Sequence, residues 1–266
     1  IVFVYGIEGY IPAMNIKGAA YASVIAQISM AVIALFLLIK KTTISLKLRL
    51  PFHVEIPRLL GMIGNLFIRT IALNVALYFA TSYATSYGAT YIAAYTIGLN
   101  LWLLGAFSID GYSSAGNILS GKLLGAKDYK TLLKLSNKLI IYGFLTGVFM
   151  ALIGFVFYEQ IGRFFTKDPL VLDQFYMTFW LILAMQPICG ITYILDGMFK
   201  GMGEMKFLRN LLIVSTGLVF IPSLLFFDYL ELKLYAIWIT FVLWMIIRGL
   251  PIFLKFRSKF LPLAEK

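Results

Sequence analysis

"TYILDGMFKG" (192–201) closes an apolar run that begins at Gln174 and meets no charge until Asp196. "FSIDGYSSAG" (107–116) sets Asp110 before a glycine in the same kind of surroundings. Whether two such carboxylates lie in a water-soluble core or in a bilayer decides the fold. The chain is 61% hydrophobic and only 13% charged, whereas soluble domains carry roughly 25% charged residues. Run length is decisive, because a bilayer needs about 20 mostly apolar residues per helix. Residues 18–39, 139–158 and 174–195 carry no charge, 210–227 carry none, and 234–254 carry only Arg248. The uncharged run 70–109 is too long for one span and breaks at "TSYATSYG" (81–88). The pattern predicts seven spans at 18–39, 57–82, 88–121, 134–160, 172–200, 206–228 and 232–256. The expected fold class is all-α, a polytopic transmembrane helix bundle.

The net charge of +11 is not spread as a nucleic-acid surface would require. If the spans alternate, one side receives the basic segments 40–58, 122–138, 200–209 and 255–266. The other side receives only Lys17, Arg163, Lys167 and Lys233. Short loops rich in lysine and arginine stay in the cytoplasm, so the basic side is expected to face inward across the cell (inner or plasma) membrane. The expected partners are therefore lipid bilayer and small molecules, with no nucleic acid. Cys189 stands alone and is read as packing. The single histidine, His53, falls in a basic loop and is read as solvated. The opening "IVFVYGIEGYIPAM" shows neither a basic start nor a small-residue cleavage site. It reads as the tail of an earlier helix, so the chain is expected to be part of a longer protein.

Small residues recur at helical spacing, as in "GAAYAS", at Gly116, Gly121 and Gly125, and at Gly197 and Gly201. In lipid they permit close helix contact, and such seams either hold still or slide. Pro187 removes a backbone hydrogen bond inside a span and is expected to bend it. Tyr83, Tyr87, Tyr91 and Tyr95 follow a four-residue spacing. They read either as an interfacial aromatic belt or as a stacking wall for a flat or cationic compound.

Charges inside a bilayer are costly and mark function by default. Arg69 lies twelve residues past Pro57, and Asp110 eleven before Gly121. At about 1.5 Å per residue both stand roughly 17 Å from the basic end, so an Arg69–Asp110 ion pair is expected. Asp196 lies nearer that end, one turn before Lys200, with Arg209 or Arg248 as its expected partner. Arg248 reads either as snorkelling to the headgroups or as that partner. Asn65, Asn74, Asn100, Asn117 and Gln186 add uncharged polar groups that either line a cavity or bond between helices. Motifs of the HExxH, GxSxG and Walker type are absent from the sequence. No enzymatic activity, metal site or cofactor is expected.

The stretches "FSIDGYSSAGNILSGKLLGAKD" (107–128) and "YILDGMFKGMGEMKFLRN" (193–210) resemble multidrug and toxic compound extrusion (MATE) transporters, particularly the DinF-like branch. "FIRTIAL" (67–73), "IIRGLP" (246–251) and "NIKGAAYASVIAQ" (15–27) extend the resemblance over nearly the whole chain. It implies two six-helix lobes around a cleft. Residues 1–56 would be the end of the amino-terminal lobe and a basic inter-lobe loop, and 57–266 the carboxy-terminal lobe. It also implies cation- or proton-coupled antiport of amphipathic organic compounds by alternating access, the missing first lobe being a further partner. The coupling ion, proton or sodium, would pass through rather than stay as a cofactor. Asp110, Asp196, Arg69 and Arg248 match the DinF-like pattern one by one, and Asn74 and Asn100 join them as expected pathway residues. Two positions depart from it: Asn117 stands where "AAEAL" would place an acid, and Lys122 where "VGQ" would place glutamine. The acid usually linked to protons in that branch belongs to the first lobe. A lipid-linked oligosaccharide flippase of the same superfamily, or a non-transporting membrane scaffold, are the alternatives.

Overall fold

A computed structural model of the chain describes residues 6, 14–41 and 55–264. Among them seven helices are long and apolar enough to cross a membrane. The chain is a multi-pass membrane protein. It divides into two compact units at Val54/Glu55. The described part of the first unit contains α1 (Asn15–Lys41), on which only Gly18 is buried. A helix so apolar on every side needs lipid or another helix around it. His53 and the basic loop around it lie outside the described residues.

The second unit holds α2 (Ile56–Ser86), α3 (Ala89–Gly125), α4 (Tyr129–Val156), a short α5 (Tyr158–Phe165) and α6 (Pro169–Gly201). It continues with α7 (Met205–Val214), a π-helical turn (Ser215–Phe220), α8 (Ile221–Tyr229) and α9 (Leu234–Ala264). The run α7–π–α8 forms one span, Met205–Tyr229. Two boundaries and one helical turn differ instructively from the hydropathy reading. The fourth predicted span ends at Val156, because Tyr158–Phe165 forms a separate helix tied back to α6 by Tyr176. The last helix runs on to Ala264, carrying Lys255, Arg257 and Lys259 beyond the apolar stretch. The π turn lies just before Pro222, whose missing N–H leaves the Leu218 carbonyl without its α-helical donor. A widened turn accommodates that loss.

The spans pack around α6. Its most apolar window is 61% buried, against 22% for α4, and its main neighbours are α3, α4 and α9. Glycine sets the spacing. A Cβ on Gly143 of α4 would stand 2.7 Å from the Gly190 carbonyl oxygen of α6. One on Gly121 of α3 would stand 2.7 Å from the Gly201 carbonyl oxygen. Backbones meet here with no side chain between them, where dispersion contacts replace the hydrophobic drive that lipid cannot supply. At Pro187 α6 continues as a single helix, with Gly147 of α4 packed against its backbone. Ser113 and Ser120 on α3 donate across the seam to the Tyr193 and Met198 carbonyls, each at 2.9 Å.

Both ends of the unit are clamped. At the basic end Glu204, in the α6–α7 turn, takes Lys255 at 3.0 Å and Lys259 at 2.5 Å from α9. Those bonds, Lys259's foremost, hold the Glu204 carboxyl below the ordinary glutamate range. At the other end Tyr87 donates to Asp228, and Lys233 donates to Tyr91 at 3.2 Å. The tyrosine series thus ties the α2–α3 turn to the α8–α9 turn. Tyr83, Tyr87 and Tyr91 meet edge to face, while Tyr95 is buried on Trp238.

Two outcomes are expected. Gly143→Ala should lower stability by about 1–3 kcal/mol through overpacking, read as thermal unfolding in detergent. Gly64→Ala, where no atom lies within 4 Å, should leave it unchanged or slightly raised. Because Glu204's folded value is depressed, its contribution is present above the ordinary glutamate range and fades as pH falls through and below that range. Glu204→Gln should therefore cost roughly 0.5–1 kcal/mol at pH 7 and nothing at strongly acidic pH, in a pH series of unfolding temperatures.

Candidate functional site

Arg69 lies on the face of α2 that also buries Asn65, Ala76, Ala80 and Ala84. That face turns its guanidinium into the bundle, where Nη2 donates to both carboxylate oxygens of Asp196 at 2.7 Å. Lys200, one turn further along α6, completes the group at 2.9 Å from Asp196 Oδ2. Asp196 is buried and Arg69 nearly so, whereas Lys200 keeps 30% of its side chain exposed. The expected Arg69–Asp110 pair is therefore replaced by Arg69–Asp196. Depth along the helices matched Arg69 to Asp110, but rotation about the α3 axis separates them. Asp110 lies on the exposed face of α3, beside buried Ile109.

Of the two cations expected beside Asp196, Arg209 turns elsewhere, while the charge of Arg248 acts on the carboxylate without a direct ion pair. Arg209 donates instead to Asn65 at 2.6 Å and to Asn210. Arg248 does not snorkel: it is 3% exposed, with its guanidinium 4.7 Å over the Trp244 ring and Nη1 3.7 Å from Met245 Sδ. The aromatic face holds the cation, and its charge still reaches Asp196. Trp244 is fixed in turn by donating to Thr216 Oγ1 of the π turn at 3.2 Å. Cys189 is buried and accepts from Trp102 Nε1 at 3.3 Å.

Asp110 is the contrasting acid. Among the described residues it has no hydrogen-bond or ion-pair partner. It lines a cavity of about 250 Å³ with Phe107, Ser113, Tyr193, Asp196 and Lys200. The cavity brings both aspartates to one space without pairing them. Asn74 and Asn100 lie on exposed faces of α2 and α3. Each donates to its own helix, to Thr70 O at 2.9 Å and Thr96 O at 2.8 Å. Thr70 and Asn74 border a second, more open cavity of about 430 Å³ with Phe67, Tyr78 and Phe79. Thr96, Asn100, Phe107 and Asp110 follow one exposed stripe of α3 at helical spacing. Three members escaped the sequence reading as site residues: Lys200, Thr70 and Thr96. The signal was present as i,i+4 pairs, Asp196–Lys200, Thr70–Asn74 and Thr96–Asn100. Among the described residues no three His, Cys, Asp or Glu side chains cluster as a metal site would require.

Comparison with known proteins finds matches by sequence and, in fold, among solved structures. The chain is 25% identical over 226 residues to protein DETOXIFICATION 45, chloroplastic, of Arabidopsis thaliana, covering 82% of this chain and 38% of that protein. It is 26% identical over 246 residues to DNA damage-inducible protein F of Escherichia coli K12, covering 90% and 52%. It thus spans roughly half, or less, of the curated relatives it matches. The fold is shared with an outward-facing multidrug resistance MATE family transporter of the MOP superfamily, at TM-score 0.83 and 20% identity. That match covers all of this chain and 59% of the other. A MOP superfamily transporter from Pyrococcus furiosus, described as having a binding pocket of reverse polarity, matches at TM-score 0.84 and 20% identity, covering 100% and 60%. The MatE family model matches residues 66–225, from the middle of α2 to within α8; the chain belongs to the MatE family.

Proposed function

We propose that this chain is the carboxy-terminal lobe, residues 57–266, and the preceding helix of a secondary efflux transporter. In this reading the transporter exchanges amphipathic organic compounds for protons or sodium ions by alternating access. The observation that carries the reading is the polar stripe on α2 and α3. Thr70, Asn74, Thr96, Asn100 and Asp110 are exposed within spans, and polar groups facing hydrocarbon are disfavoured. Such a face suits a water-filled cleft, to be closed by a second lobe. Its aromatic members, Phe67, Tyr78 and Phe107, give an amphipathic compound apolar area beside hydrogen-bonding groups. The basic end faces the cytoplasm in this reading, by the charge bias of its loops.

The two aspartates then take different parts. Asp196 has its oxygens occupied by Arg69 and Lys200 and serves as a lock between α2 and α6. Asp110 has no such partner and is the carboxylate available to a coupling cation, a proton or a cationic substrate group. A flippase for lipid-linked phosphates would need free cations on the cleft face, yet Arg69 is turned inward onto Asp196 and Lys200, which reaches the cavity, is paired with the same acid.

In the full-length protein, Asp110→Asn should reduce export at least tenfold with little change in unfolding temperature. Asp196→Ala should instead destabilise the protein by about 3–5 kcal/mol, because Arg69 is left buried without its acid. The exchange Arg69→Asp with Asp196→Arg should recover part of that loss, measured as folded yield and unfolding temperature against each single variant. Cysteines introduced as Asn74→Cys and Asn100→Cys should react with a membrane-impermeant thiol reagent, while Phe149→Cys on α4 stays unreactive. Equal protection of all three would favour an inert scaffold. Full export by Asp110→Asn would remove its proposed part.

A further inference from the structure

The cavity of about 250 Å³ holds two acids whose partners are unevenly shared. Asp196 receives Arg69 at 2.7 Å and Lys200 at 2.9 Å, and the charge of Arg248 reaches it from α9. Asp110, on the same cavity wall, has no partner among the described residues. Three cations thus converge on one carboxylate while the other has none. Cations crowded into a poorly solvated site repel one another, so the one held least firmly is the one to leave. Arg69 and Arg248 are buried. Lys200 keeps 30% of its side chain exposed, and its ammonium ends a flexible four-carbon stem.

The helices bring Asp110 within the sweep of that stem. α3 and α6 run in the same direction, with Ser113 donating to the Tyr193 carbonyl and Ser120 to that of Met198. Asp110 stands nearly one turn before Ser113, level with the turn of α6 that carries Tyr193. Helical side chains lean toward the N-terminus, which carries the Lys200 ammonium back to the level of Asp196. Further rotation about the stem moves it through the cavity toward Asp110. When Lys200 departs, Asp196 keeps both bonds from Arg69, so its charge is not stranded.

We propose that Lys200 is an exchangeable counter-ion: it swings from Asp196 to Asp110 when no cation occupies that acid, and returns when a coupling cation or a cationic substrate group binds there. Lys200 acts in this way only if Asp110 receives the cation, the reading on which the proposal rests. The lysine is then a tethered competitor. It weakens cation binding and speeds release by filling the acid that the cation vacates.

The test is calorimetric binding of tetraphenylphosphonium, a lipophilic cation, to the purified full-length protein in detergent. Lys200→Gln should bind it about fivefold or more tightly, the ordinary size of coupling between linked sites. Export by this variant should show a lower KM together with a lower kcat, because Asp110 then empties slowly. Lys200→Arg, which keeps the charge, should recover most of the wild-type affinity. In an Asp110→Asn background Lys200→Gln should change affinity little, since the acid for which the lysine competes is gone. Equal tightening in both backgrounds would mark Lys200 as a static charge beside Asp196 and overturn the exchange. Unchanged affinity and KM in Lys200→Gln, with only a lowered unfolding temperature, would overturn it as well. Wild-type affinity and export in Asp110→Asn alone would instead remove the reading beneath the proposal, and the proposal with it.

Discussion

Asp196 sits enclosed in a membrane helix bundle, and both its oxygens are reached by Arg69 from a different helix. This contact determines much else. To place a guanidinium at 2.7 Å from a carboxylate on α6, α2 must present its small-residue face inward, with Ala76, Ala80 and Ala84 buried along it. Orienting α2 in this way turns Thr70 and Asn74 outward. The polar surface of the lobe is thus partly a consequence of how its internal charge is satisfied. Lys200 adds a second cation from within α6, where i,i+4 spacing needs no tertiary packing to bring the groups together. Arg248 is held differently, over the Trp244 ring, and acts on the same acid through its charge without a direct ion pair.

The charge group would be of little use in a loose bundle. Displacing Arg69 by even an ångström in a poorly solvated site exposes both charges to a cost that their attraction no longer offsets. The glycine contacts of α6 with α3 and α4 prevent such drift, because backbone against backbone leaves no rotamer to relax. Ser113 and Ser120 stiffen the same seam with hydrogen bonds to α6 carbonyls. Packing and electrostatics therefore support one another here: close approach fixes the geometry in which the buried pair is tolerable.

The architecture was legible because run length and loop charge are one-dimensional quantities. Apolar stretches with a basic residue at every second boundary predict spans and their alternation without any knowledge of which helix touches which. The resemblance carried by "FSIDGYSSAG" and "YILDGMFKG" reached the family for the same reason, since those motifs are local. Partner choice was not legible. Depth can be counted along a helix, but a depth match between Arg69 and Asp110 says nothing about azimuth, and azimuth sends one acid inward and the other outward. Arg248 escaped for a related reason: its partner is an aromatic face one turn earlier on its own helix, a contact that a search for opposite charge does not consider. Hydropathy likewise cannot separate Tyr158–Phe165 from α4, because an amphipathic turn at a membrane surface keeps enough apolar residues to extend the run.

The contrast between the two aspartates follows from these constraints and bears on how such a lobe would work. In the alternating access proposed above, lobes would move against each other, so ligand binding would shift the equilibrium only through a group whose surroundings differ between the two arrangements. Asp196 does not qualify on its own, because its partners, Arg69 and Lys200, belong to the same lobe and would travel with it. Asp110 borders the cavity it shares with Asp196 and Lys200 but pairs with neither, so its surroundings would change whenever the facing wall moved. A lobe made rigid by its buried ion group and its glycine seams would transmit that change as a body instead of absorbing it. On this reading, the fixed acid is what allows the free one to act.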